Sequence, residues 1–200
     1  IFVAALSGYA FLNQAHLRHA KQTRASLERH LATGDFPAAI EQFETLRQLD
    51  PQLTDADNFH AAQAYAGAAQ HDRANDLLAK LAPGPDGVPG FPAAHQLAAV
   101  SIIRNHASQS GTLPLPMQRL LKWHLDAGGE SDAPEIKFAW ANYWLSAGQP
   151  NAAIAPMLAA AKASPKLLLP LAKLHRRTGN SSAEKETLEK AAAIFGEKLT

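Results

Sequence analysis

Apolar positions in this chain recur at three- and four-residue spacing, and the runs are cut by glycine and proline. That spacing lays one apolar stripe along a helix, and the breaks mark where each helix stops. Read this way, the chain predicts about ten helices. The first runs from an apolar opening to Leu31 or Ala32 and is broken by Gly34. The second covers 37–49, with Pro37 early, where its missing N–H costs nothing, and it stops at Asp50-Pro51. Further helices are predicted from Thr54 or Asp55 to about 70, and over about 73–81, 93–106, 115–126, 133–147, 151–163, 166–177 and 182–195. No strand candidate emerges. Residues 83–92 hold four prolines and three glycines, which suit neither helix nor strand and predict a surface loop.

The helices are not independent inventions. Gly34-Asp-Phe-Pro-Ala-Ala-Ile40 and Gly148-Gln-Pro-Asn-Ala-Ala-Ile154 are two copies of one phrase, and a proline follows each glycine at the same offset (Pro51 and Pro165, 17 positions on). Gly34 to Gly148 is 114 positions, whereas three units of roughly 34 residues would give about 102. The excess matches the proline- and glycine-rich loop, so the central unit is the irregular one. The expected organisation is an opening segment at 1–16, two helical hairpins over 17–83, the loop with a degenerate hairpin over 84–132, and two further hairpins over 133–200.

Composition supports packed helices and narrows the chemistry. Of the 200 residues, 46% are hydrophobic, which is enough for a core, and the apolar residues are mostly alanine and leucine, which favour helix. Net charge is +1 and aromatics are 7%. That gives no basic stripe for nucleic acid. The chain has no cysteine, so disulfides, thiolate metal sites and a cysteine nucleophile are excluded.

The first twelve residues, Ile1 to Leu12, carry no charge, and His16, Arg18, His19, Lys21 and Arg24 follow. A bilayer span takes roughly 20 apolar residues, so this stretch alone is too short. Part of a membrane anchor is the leading expectation, with Tyr9 and Phe11 at the interface. A buried first helix and a signal-peptide remnant stand beside it. The side of the membrane is left open.

The duplicated phrase resembles the tetratricopeptide repeat family. Ala39-x-x-x-Phe43 with Pro51, and Ala153-x-x-x-Met157 with Pro165, match the second half of the family pattern. Ala61, Ala62 and Tyr65, then Trp140, Ala141 and Trp144, then Leu171, Ala172 and His175 match first helices. Small residues let two antiparallel helices approach, and the large residue a turn away fills the gap. Gly34, Gly148 and Gly179 supply the left-handed backbone that ends each first helix. Over 84–132 no matching phrase appears, and Pro114 and Pro116 stand where a second helix would begin.

The resemblance implies an all-α fold, a right-handed α-α superhelix of about five hairpins, whose first helices line a concave groove. Carried over by alignment, the groove positions are Arg24 and Glu28, Phe59 and Gln63, Phe138 and Asn142, and Leu169 and Lys173, with Arg176 and Arg177 adding positive charge. Phe59 and Phe138 would grip side chains, while Gln63, Asn142 and Lys173 would hydrogen-bond a peptide backbone. A subtype that clamps a C-terminal carboxylate would find only Asn142 and Lys173. Trp140, Tyr143 and Trp144 form an aromatic cluster that either fills the gap between hairpins or offers a binding hot spot.

No catalytic constellation is legible. The nine histidines (16, 19, 30, 60, 71, 95, 106, 124 and 175) are scattered and include no His-Glu-x-x-His, so they read as surface or packing groups, with no metal or cofactor expected. No serine sits in a Gly-x-Ser-x-Gly turn, and Gly84 to Gly90 has no preceding strand and no lysine-threonine end to cradle phosphate. Glu184 and Glu186 alternate with lysines, as on a solvated helix face.

The expected function is a non-catalytic protein-interaction scaffold, membrane-associated through its opening segment, that serves as an accessory or assembly subunit for a protein or peptide partner. The alternative is a C-terminal appendage of a larger membrane enzyme whose chemistry lies upstream. A third is a structural subunit with no free groove.

Overall fold

The computed structural model describes the backbone of residues 2–87, 90–106 and 112–196, and the side chains of these from Gln14 onward. The described residues hold ten α-helices and no strand. By proximity the chain divides into two units, Ile1–Pro83 and Gly84–Thr200.

The first unit is two hairpins. Helix α1 (Phe2–Thr33) packs on α2 (Phe36–Leu49), and α3 (Asp55–Gly67) packs on α4 (His71–Leu81). Ala39 and Phe43, the matched pair of the phrase, are both buried. They share a core with Leu27, Ala61, Ala64, Tyr65, Ala66 and Ala74. The alanines bring the backbones close, and the Phe43 and Tyr65 rings meet edge to face at 6.3 Å, a geometry that aromatic quadrupoles favour. The Tyr65 hydroxyl donates to Glu44 Oε1 at 2.8 Å. Gly67 has its own reason to be glycine: a Cβ there would lie 2.4 Å from the Phe36 ring.

The second unit holds three hairpins. They are α5 (Pro92–His106) with α6 (Leu115–Ala127), α7 (Pro134–Ser146) with α8 (Pro150–Ala163), and α9 (Leu168–Arg177) with α10 (Ser181–Gly196), a short 3-10 turn (Pro165–Leu167) preceding α9. One core lies under α5, α6 and α7 (Ile102, Ile103, Leu121, Leu125 and Ile136 among others), and a second under α7 to α10 (Met157, Leu168, Leu171 and Leu174 among others). Helix α7 serves both. Trp140 packs on the first core and Trp144 on the second, and the two indoles stack at 6.1 Å. The aromatic cluster therefore fills the space between hairpins.

The junctions explain the glycines. Gly34, Gly148 and Gly179 have φ of 74°, 73° and 75°, the left-handed region expected of them. After each glycine the next N–H reaches back to a carbonyl of the preceding helix: Asp35 to His30, Gln149 to Trp144, Asn180 to His175, all within 2.8–2.9 Å. A fourth junction has the same bond, Gln70 to Tyr65 at 2.8 Å, but its left-handed residue is Ala69, at φ 58°. Sequence alone ran the third helix to about Gln70, past this turn, because alanine carries no stop signal.

The opening segment belongs to α1, which passes residue 16 without a break. The side chains of residues 1–13 lie outside the described ones. Among the described residues no helix is long and apolar enough to cross a membrane.

Candidate functional site

Phe59 and Gln63 lie one turn apart on α3, both half-buried, with the Phe59 ring 6.2 Å from that of His60. The helix that carries them is held by a polar cluster at its start. Thr54 caps α3: its hydroxyl accepts from the Asp57 N–H at 3.1 Å, and Asp57 Oδ2 accepts from the Thr54 N–H at 2.9 Å. Asp57 is buried, and Arg24 from α1 forks onto it, Nε to Oδ1 at 2.8 Å and Nη2 to Oδ2 at 2.9 Å. The same Nη2 reaches Asp50 Oδ2 at 2.6 Å, just past the end of α2. Burial works to raise the Asp57 carboxyl, but the Arg24 and Thr54 hydrogen bonds outweigh it and hold it below the ordinary range. Alignment placed Arg24 at a groove position. Its guanidinium is instead committed to tying three helices together. Thr54-x-x-Asp57 is a capping-box spacing that the sequence displays, but nothing in it points 33 positions back to Arg24.

In the second unit, Phe138 and Asn142 lie one turn apart on α7. Phe138 is half-buried and packs against both cores. Asn142 Nδ2 donates to the Phe138 carbonyl at 2.8 Å, which leaves its side-chain oxygen as the group a partner could use. On α9, Leu168, Leu171 and Leu174 are buried while Leu169 is 49% exposed, and Lys173, one turn on, is exposed as well. Arg176 is exposed but pairs with Glu184 on α10 at 2.6 Å, which raises its guanidinium pKa. Arg177 is exposed and has no ion pair among the described residues. Helices α7 and α9 both pack on α8. The structure thus places Phe138, Asn142, Lys173, Arg176 and Arg177 in one unit and Phe59 and Gln63 in the other.

One arrangement has no precedent in the sequence pattern. His95 on α5 and His124 on α6, both buried, face each other with Nδ1 to Nδ1 at 2.9 Å. His95 Nε2 accepts from the Gly90 N–H at 3.3 Å. That fixes the tautomers: His95 carries its proton on Nδ1 and donates it to His124 Nδ1, so both rings are neutral. Burial, with the neighbouring His95, pushes His124 down to about 4, and burial lowers His95 too. Among the described residues no group of three or more histidines and acids could hold a metal. The pair lies in the central stretch that lacks the repeat phrase, 29 positions apart, where spacing gives no cue.

Comparison with solved structures matches this architecture to MamA, a helical-repeat protein. MamA 41-end from Desulfovibrio magneticus RS-1 aligns with a TM-score of 0.62 at 14% identity, over 91% of this chain and 98% of that one. A MamA RS-1 double mutant gives 0.61 at 15% identity over 90% and 96%, and MamA AMB-1 gives 0.58 at 17% over 88% and 98%. The fold is a tetratricopeptide-like helical-hairpin array. At these identities the likeness establishes that fold and nothing finer. No protein-family model and no curated protein matches the sequence. In tetratricopeptide-like terms, α3, α7 and α9 are first helices, and the phrase residues Ala39, Phe43, Ala153 and Met157 are buried.

Proposed function

We propose that the chain is a non-catalytic interaction scaffold that holds a protein partner on the faces of its first helices. The observation that carries this is Leu169. Helix α9 buries Leu168, Leu171 and Leu174, yet turns a fourth leucine, Leu169, outward one turn before the exposed Lys173. An exposed apolar anchor with a cationic hydrogen-bond donor one turn away suits a peptide or helix laid across it. Phe138 and Asn142 on α7 repeat the plan of an apolar residue followed by a polar one, and Phe59 and Gln63 on α3 are its counterpart in the first unit. The likeness to MamA is consistent with a binding role for the fold. Membrane association through the apolar opening is part of the same proposal. It is tested by fractionating the chain with and without residues 1–13, and membrane retention of the shortened form would remove it.

The test of partner binding is a photo-crosslinking residue at position 173 in living cells. A discrete covalent adduct to another protein, lost when Leu169→Asp is added, is the expected result. An adduct that survives Leu169→Asp would exclude α9 as the docking face.

A further inference from the structure

Between α6 and α7 lies a recess of about 230 Å³, lined by Leu115, Gln118, Arg119, Lys122 and Tyr143. Its groups are unevenly engaged. Gln118 Nε2 donates to the Leu113 carbonyl at 2.7 Å. Lys122 pairs with Asp126, Nζ to Oδ1 at 2.7 Å, and its ammonium lies 5.6 Å from the centre of the Trp140 ring, which holds it in place. Arg119 is exposed and has no ion pair among the described residues. The Tyr143 ring is fixed by edge-to-face contacts with Trp140 and Trp144 at 6.0 and 4.9 Å, while its hydroxyl has no hydrogen-bond partner among the described residues. Leu115, at the mouth, is 58% exposed.

Asp126 offsets Lys122, so the recess carries one uncompensated positive charge, on Arg119. A guanidinium fork, a tyrosine hydroxyl donor and an adjacent exposed leucine match one carboxylate next to one apolar side chain. The volume agrees: it is below the roughly 300 Å³ at which pockets begin to take drug-sized ligands, and it suits one or two side chains. A nucleic-acid backbone would need several cations in line, and the recess offers one that is free.

We propose that this recess receives a glutamate or aspartate side chain, flanked by a leucine-like residue, from an extended segment of a partner protein. Arg119 binds the carboxylate through paired N–H donors, Tyr143 adds a third, and the flanking apolar residue covers Leu115. The inference rests on the scaffold reading but uses a different face from Lys173.

The experiment is a titration of the full chain, labelled with nitrogen-15, with the capped peptide acetyl-Ala-Leu-Glu-Leu-Ala-amide, followed by amide and arginine side-chain shifts. Saturable shifts at Arg119, Leu115 and Tyr143 are expected. Replacing the peptide glutamate by glutamine, or introducing Arg119→Gln, should weaken binding at least about ten-fold, since either change breaks the paired charge-assisted hydrogen bonds. Tyr143→Phe should weaken it by a smaller factor with the fold unchanged. Equal affinity for the glutamate and glutamine peptides, absence of shifts in the recess, or tighter Arg119-dependent binding of an oligothymidine than of the peptide would each overturn the proposal. Leu169→Asp should leave the titration unchanged while abolishing the crosslink at position 173. The two readings therefore fail separately.

Discussion

The Arg24–Asp57 fork is the contact at which a single substitution has the clearest cost. Asp57 is buried, and losing Arg24 leaves its charge facing only Thr54. An uncompensated buried carboxylate costs about 3 to 5 kcal/mol when its partner is deleted, and the partial exposure of Arg24 lowers that figure. Arg24→Met is expected to destabilise the chain by about 2 to 3 kcal/mol, read as a lower denaturant midpoint at unchanged slope. His124 gives a pH signature of the opposite chemistry. Its folded pKa, about 4, lies below the usual histidine value of 6.5. Between those values the unfolded chain binds a proton that the folded chain refuses, so stability is intact above about pH 6.5 and falls as pH drops toward 4. The loss is on the order of 2 to 3 kcal/mol. His124→Phe should flatten that part of the profile, checked by chemical denaturation at stepped pH. Neither contact is legible in the sequence, since each joins residues about 30 positions apart whose types occur commonly on surfaces.

At the scale of the helix, the junctions were the readable part. Glycine announces a left-handed turn, so Gly34, Gly148 and Gly179 marked their helix ends in advance and the structure bears them out. Ala69 makes the same turn with a side chain that the left-handed region disfavours by about 1 to 2 kcal/mol. Ala69→Gly is expected to stabilise the protein by up to about 1 kcal/mol, the relief of strain less the added freedom of the unfolded chain. Gly148→Ala should destabilise by a similar amount. Both are read from melting temperature, and an unchanged Ala69→Gly variant would mean that the turn is not strained. The core positions were equally legible, because small-then-large spacing along paired helices has one economical packing. The candidate surface was less so. Alignment said which residues share a register, but not that Arg24 and Arg176 already hold carboxylates or that Phe138 leans on two cores.

Across the molecule, the chain consists of two compact units, and the central hairpin α5–α6 differs from its neighbours in kind. It lacks the repeat phrase, follows the proline- and glycine-rich stretch, and contains a buried pair of neutral histidines in direct contact. Stability in such arrays is a sum of hairpin terms and neighbour couplings, so this hairpin is expected to exchange its amide protons earliest among the described helices. Uniform protection from α2 to α10 in native-state hydrogen exchange would contradict that. The sequence showed where the array loses its register, but not what replaces it there, since the substitute interactions are polar and non-local. The central claim is that the first-helix faces hold a protein partner. Its most direct measurement is site-specific photo-crosslinking from position 173 with mass-spectrometric identification of the adduct. A distinct protein joined at Lys173, and absent with Leu169→Asp, is the predicted result. Recovery of the uncrosslinked chain alone, or of adducts indifferent to Leu169→Asp, would contradict it.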